Sequence, residues 1–166
     1  MGCDIHGPWI EQLEGTNDRG HQNWECIAQL QVWRNYELFG ALAGVRRDLP
    51  HVAPKGIPQN LSHEVFAAFT LFVDTEYNEL NDGTCLGKDA ARWIEEQSSR
   101  SMQAFKNGQP QRISHPDWHT PSWLTTTEVA GACARVDSRQ LKGALAMMRA
   151  METETHPIRM VFWFDN

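Results

Sequence analysis

Acidic and imidazole side chains gather at three places in this sequence: Asp4 and His6 near the start, Asp117 and His119 in the middle, and Asp165 at the end. On a strand, alternate residues share a face, so Asp4 and His6 point one way and Cys3 and Ile5 the other. An acid and an imidazole so placed can present two metal ligands or an acid–base pair. Asp117-x-His119 in an extended loop can do the same. Asp165 follows an apolar run expected to be a buried strand, and a carboxylate drawn there needs His, Arg or a cation as partner. The plainer alternatives are a frayed polar start, a strand end entering solvent, and a capping segment after His119. In the last case Thr125 or Thr126 caps a helix and Glu128 completes a capping box.

Arg34, Arg46 and Arg47 are the cationic candidates. Arg34 precedes a helix, and a helix N-terminus beside an Arg suits phosphate or carboxylate; a solvated surface is the alternative, most of all for Arg47. Arg34, Asn35, Tyr36, Arg46, Ser122 and Trp123 form the expected ligand-binding set, with Trp118 and Trp123 able to stack on a base. Asp4, His6 and Asp165 are the expected metal ligands, and His119 and Asp117 the catalytic acid–base groups. A mixed nitrogen and oxygen set suits a transition metal better than Ca²⁺. The expected cofactor is a divalent metal: Zn²⁺, Mn²⁺ or Mg²⁺.

Other chemistries lack support. The serines at 114 and 122 have no nucleophile-elbow context, and no phosphate-binding glycine loop or dinucleotide fingerprint occurs. The four cysteines, Cys3, Cys26, Cys85 and Cys133, are widely spread without a Cys-x-x-Cys pair, as expected of reduced thiols in a cytoplasmic chain. Cys26 and Cys133 read as small buried apolar residues. His21, His51, His63 and His156 read as surface residues. A formal charge of −6 argues against duplex nucleic acid as a partner but allows a small phosphorylated ligand, because a few Arg in one pocket suffice. No stretch approaches the roughly 20 apolar residues of a membrane span, and the first residues have no signal-peptide pattern. The pattern leaves a homo-oligomer open.

The elements that must position these groups follow from spacing. A length of 166 residues fits one domain with a substantial core. Residues 3–13 and 22–30 read as a β-hairpin around the turn formers of 15–20. Leu38, Leu42 and Val45 are spaced for one helix face, and 49–60, with three prolines, reads as a rigid loop. Ser62 looks like the cap of a helix over 63–77. Asn81-Asp82-Gly83 breaks the chain, and a helix follows over 88–101. Residues 106–123 read as loop. Helices follow near 126–134 and 138–151, and 158–164 is a strongly apolar strand. Together these predict an α+β fold, in which a small antiparallel sheet of the N-terminal hairpin plus a central C-terminal strand packs with several helices.

Several segments together resemble a family of small bacteriophage and prophage proteins. They are Met1-Gly2-Cys3-Asp4-Ile5-His6, Arg34-Asn35-Tyr36-x-Leu38-Phe39, Gly56-Ile57-Pro58, Asp117-x-His119 with Ser122-Trp123-Leu124-Thr125, and Val161-Phe162-Trp163-Phe164-Asp165-Asn166. Lys55 stands where that family has Arg, and Thr120 where it has Ser. The resemblance implies a phage setting, in the cytoplasm of an infected host, and a shared site. With it, the residues predict an enzyme that hydrolyses a small nucleotide or phosphoester through a metal-bound water, the substrate being a host defence signal. The alternatives are a nucleotide-binding sponge that does not cleave its ligand, and a structural or partner-binding phage protein.

Overall fold

The computed structural model describes residues 2–47, 50–74, 83–96 and 103–166. In chain order the elements are β1 (Ile5–Thr16), β2 (Gln22–Gln29), α1 (Tyr36–Ala43), α2 (His63–Phe69), β3 (Thr70–Asp74), β4 (Thr84–Leu86), α3 (Gly87–Glu95), β5 (Gln103–Lys106), β6 (Gln109–Ser114), β7 (His119–Thr125), α4 (Thr126–Cys133), α5 (Arg139–Met151) and β8 (Ile158–Phe164). The fold class is α+β, with two four-stranded sheets. Contacts divide the chain into two compact units, one of Met1–His63 with His119–Asn166 and the other of Glu64–Trp118. Among the described residues no helix is long and apolar enough to cross a membrane.

The first unit holds a sheet of order β2-β1-β8-β7. The apolar C-terminal strand is central, as its composition predicts, and all seven of its residues are buried. It pairs antiparallel with β1, Ile5 opposite Phe164 and Gln12 opposite Ile158. It pairs antiparallel with β7 on its other side, Thr125 opposite Arg159. Met160, Phe162 and Phe164 share one face and enter the core with Leu38, Leu42 and Leu145. Burying each such side chain contributes about 1.5–3 kcal/mol.

The opposite face carries a buried ion pair. Arg159 donates from Nε to Glu11 at 2.6 Å and from its two terminal nitrogens to the carbonyls of Gln59 and Asn60. The Ser62 N–H donates to the same Glu11 carboxylate at 2.7 Å. The guanidinium stacks on Trp24 at 3.8 Å. Each charge is therefore met by donors or acceptors, as a buried pair requires, and the network pins residues 59–62 to the sheet.

Helix ends follow their sequences closely. Asn35 caps α1 by accepting from the N–H groups of Glu37 and Leu38, and Gly44 ends it in the left-handed conformation. Thr125 and Glu128 form the capping box of α4, and Ser138 caps α5.

The second unit corrects two expectations. The expected helix over 63–77 stops at Phe69 and continues as β3. Leu71 and Val73 pack on the core of this unit while Phe72 is exposed; such alternation is strand periodicity, which the dense apolar run masks. The segment expected as loop over 106–123 instead holds most of a β5–β6 hairpin and, in the first unit, most of β7. Asn107 and Gly108 both have positive φ, the two-residue turn that suits a twisted hairpin. The prolines mislead because Pro110 sits at a register shift opposite Phe105, where a missing donor is tolerated. The helix expected over 88–101 is described as α3 up to Glu95; its later part, Asp48, Leu49, and the Asn81-Asp82 break lie outside the described residues. Cys26 and Cys133 are half-buried rather than buried: Cys26 lies on the edge strand β2 and Cys133 at the end of α4.

Candidate functional site

The first unit's two chain segments meet at the end of β8. Asp165 accepts the backbone N–H of Asp4 at 2.9 Å, and its other carboxylate oxygen meets His6 Nε2 at 2.9 Å. The Asp165 N–H donates back to the Asp4 carbonyl at 3.1 Å. Arg34 holds the Asp4 carboxylate in a fork, Nε to one oxygen at 2.8 Å and a terminal nitrogen to the other at 2.6 Å. This two-point grip keeps the Asp4 carboxyl below its usual range and raises Arg34. His119 Nε2 lies 3.3 Å from the Asp165 carbonyl. A carbonyl only accepts, so that nitrogen carries the proton, and Nδ1 accepts from the Thr120 hydroxyl at 2.9 Å. Asp4, His6, Arg34, His119 and Asp165 therefore form one hydrogen-bonded cluster.

Two register shifts aim the histidines. Along β8, His6 opposes Trp163 and Trp9 opposes Val161, so three steps on β1 match two on β8. The extra residue is a bulge, and it leaves His6 and Trp9 on one face, where both rings stack on Trp163 with centroids 5.9 and 6.5 Å away. On the other flank His119 opposes Phe164 and Ser122 opposes Phe162, a second bulge. His119 stacks on Phe164 at 6.0 Å. Pair parity thus puts the two imidazoles on opposite faces of the sheet, with Asp165 bridging them around the strand end. Thr120, in the second bulge, has a φ of 49°. A β-branched residue in the left-handed region stores about 1–3 kcal/mol, a cost that gathers at functional sites.

Cys3 is fully buried, with Sγ 4.0 Å from His119 Nε2. Burial pushes its thiol up, and the Arg46 guanidinium beside it pulls the other way. Arg46 also has a positive φ, 63°. Among the described residues, the two side chains other than Asn that hold left-handed backbone, Arg46 and Thr120, both border this cluster.

Arg34 also lines a cavity of about 410 Å³ with Trp33, Tyr36, Glu37, Arg47 and Gln140. Trp33 is 81 % exposed and Tyr36 half so. Glu37 and Arg47 reappear in an adjoining cavity of about 180 Å³ with Ala41 and Arg135. Two glycines make room for these arginines. A Cβ on Gly2 would stand 2.5 Å from the Arg34 guanidinium, and one on Gly40 would stand 2.8 Å from the Arg47 Cβ. The sequence carries only the glycines as a signal, and nothing in it says what approaches them.

The remaining expected residues have other partners. Asn35 lines the same cavity as Arg34, but its side-chain oxygen is engaged in the α1 cap. Ser122 is buried and accepts the Lys55 N–H at 3.1 Å. Trp123 carries Lys55 on its ring at 3.5 Å and lines a separate cavity with Trp24 and Arg159. Lys55 also pairs with Glu128 at 2.7 Å. Asp117 belongs to the second unit, where its N–H donates to His115 Nδ1 at 3.1 Å. Asp4 and Asp165, expected as metal ligands with His6, spend their carboxylates on protein donors. Among the described residues no group of three His, Cys, Asp or Glu side chains is arranged to hold a metal. Sequence reasoning missed the Glu11–Arg159 pair, whose signal was a lone Arg inside the apolar run Ile158–Phe164.

No family model, no curated protein and no solved structure matches the chain.

Proposed function

We propose that the first unit binds a small phosphorylated ligand, a nucleotide in kind, in the Trp33–Arg34–Tyr36 cavity and hydrolyses it with the His6–Asp165 pair as proton acceptor. The observation that carries this reading is the position of Arg34. It lines the cavity and grips Asp4, whose N–H is bound by the same carboxylate that holds His6. An exposed Trp offers a stacking face for a base, and guanidinium groups suit phosphate. A carboxylate behind an imidazole fixes the ring and stabilises its protonated form during proton transfer. His119 is a positioning residue here, since both ring nitrogens are used within the protein.

A divalent metal would add charge neutralisation at the phosphate and a more acidic water. In the arrangement described, a metal would need Asp4 to leave Arg34 or Asp165 to leave His6. That engagement of the carboxylates favours a second reading, a sponge that holds the nucleotide intact. In the setting suggested by the resemblance, the protein would act in the cytoplasm of a phage-infected cell on a host defence signal.

Incubation with a nucleotide panel, with and without Mn²⁺ or Mg²⁺, followed by denaturation and chromatography, separates these readings. The hydrolase predicts product that His6→Ala abolishes. Intact nucleotide recovered from the protein favours the sponge, and a panel that neither binds nor reacts overturns both.

A further inference from the structure

The smaller cavity brings two guanidinium groups beside one carboxylate. It is lined by Glu37, Ala41, Arg47 and Arg135, and it shares Glu37 and Arg47 with the Arg34 cavity. Glu37 and Ala41 lie one turn apart on α1, Arg47 follows that helix, and Arg135 follows α4. Among the described residues, neither Arg47 nor Arg135 forms an ion pair, although the chain carries 21 acidic residues against 15 basic ones. Glu37 is the one carboxylate that lines this cavity, so the two guanidinium groups outnumber it there. Arg47 is also packed at its base: its Cβ lies so close to Gly40 that any side chain there would strike it. A guanidinium whose stem is held loses less freedom when it takes a ligand.

We infer that Arg47 and Arg135 form a second anion subsite beside the Arg34 cavity, so that the ligand class is a nucleotide with at least two phosphate groups rather than a monophosphate. This rests on the nucleotide reading above and deepens it. The base lies on Trp33 and Tyr36, and Arg34 and Arg47 face the first phosphate. Arg47 and Arg135 face the next. Glu37, at the junction of the two cavities, accepts a ribose hydroxyl, the role a carboxylate plays for a diol in nucleotide sites.

The test is calorimetric titration of the intact protein with adenosine mono-, di- and triphosphate and with inorganic pyrophosphate, repeated on Arg135→Gln. Wild type should bind the diphosphate about tenfold tighter than the monophosphate, the scale of one added charge-assisted contact. In R135Q that ratio should fall to about one. Arg135 is exposed, so the variant should melt with wild type, and an Arg135→Lys variant should recover part of the ratio. A diphosphate preference equal in wild type and R135Q overturns the subsite. If no nucleotide binds but pyrophosphate does so through Arg135, the nucleotide reading falls and the subsite stands. If neither binds, both fall.

Discussion

The Asp4–Arg34 pair shows how one residue's protonation state is tied to folding. The hydrogen bonds from Arg34 hold the Asp4 carboxyl below its ordinary 3.8. A depressed carboxyl contributes stability above its unfolded value and loses it as pH falls through its folded one. Denaturant midpoints of wild type and Asp4→Asn should therefore differ at neutral pH and converge as the pH drops below about 4; a constant difference across that range would contradict the pairing. His6 is half-exposed, with the Asp165 carboxylate and the Trp163 ring as partners, so His6→Ala should cost about 1 kcal/mol in stability. Turnover should fall by about 10²–10⁴, the size of a general-base contribution. Loss of the cooperative melt would make His6 a structural residue instead. At this scale the sequence was informative about identity and poor about aim. Asp4, His6, His119 and Asp165 stood out by type, and they do converge. Strand alternation predicted that Asp4 and His6 share a face, but β1 begins only at Ile5 and a bulge follows directly. Such local irregularities carry no strong residue signature, least of all at Thr120.

Elements position the site through β8 and the network that flanks it. Glu11 and Arg159 tie β1, β8 and residues 59–62 together in a buried setting. Removing one charge from a buried pair leaves the other uncompensated and costs about 3–5 kcal/mol. Glu11→Gln should lower the urea midpoint accordingly, while the double change Glu11→Leu with Arg159→Met should recover much of the loss. A single variant as stable as wild type would show that the pair is not closed to water. The α4 cap was readable in advance because Thr125 and Glu128 act on each other three residues apart. The β5–β7 region was not, because its prolines and polar residues resemble a loop until a partner strand supplies the ladder. The early end of α2 was hidden for a related reason: Phe69-Thr70-Leu71-Phe72-Val73 is apolar enough to satisfy either period.

For the whole molecule, the first unit is closed by joining its first strand to its last. The α+β class and the central place of the C-terminal strand were legible from composition, since a run as apolar as Ile158–Phe164 must be covered on both faces. The division into two units was not, because length does not show where contacts thin out. Pairing across so long a sequence separation carries a loop-closure cost and makes the sheet depend on its final segment. A chain ending at Pro157 should lack cooperative thermal unfolding of the first unit, read by the near-ultraviolet signal of its tryptophans. A chain ending at Phe164 keeps every β8 residue and should melt cooperatively but lose nucleotide-induced stabilisation, because Asp165 is gone. Function at this site requires that ligand reach the place where Asp4 and His6 meet Asp165. Histidine ring resonances of His6 and His119, assigned with His6→Gln and His119→Gln and followed during adenosine diphosphate titration, test that most directly. Both should shift along one saturation curve that Arg34→Gln flattens; saturable binding with both resonances unmoved would contradict a nucleotide site at this cluster.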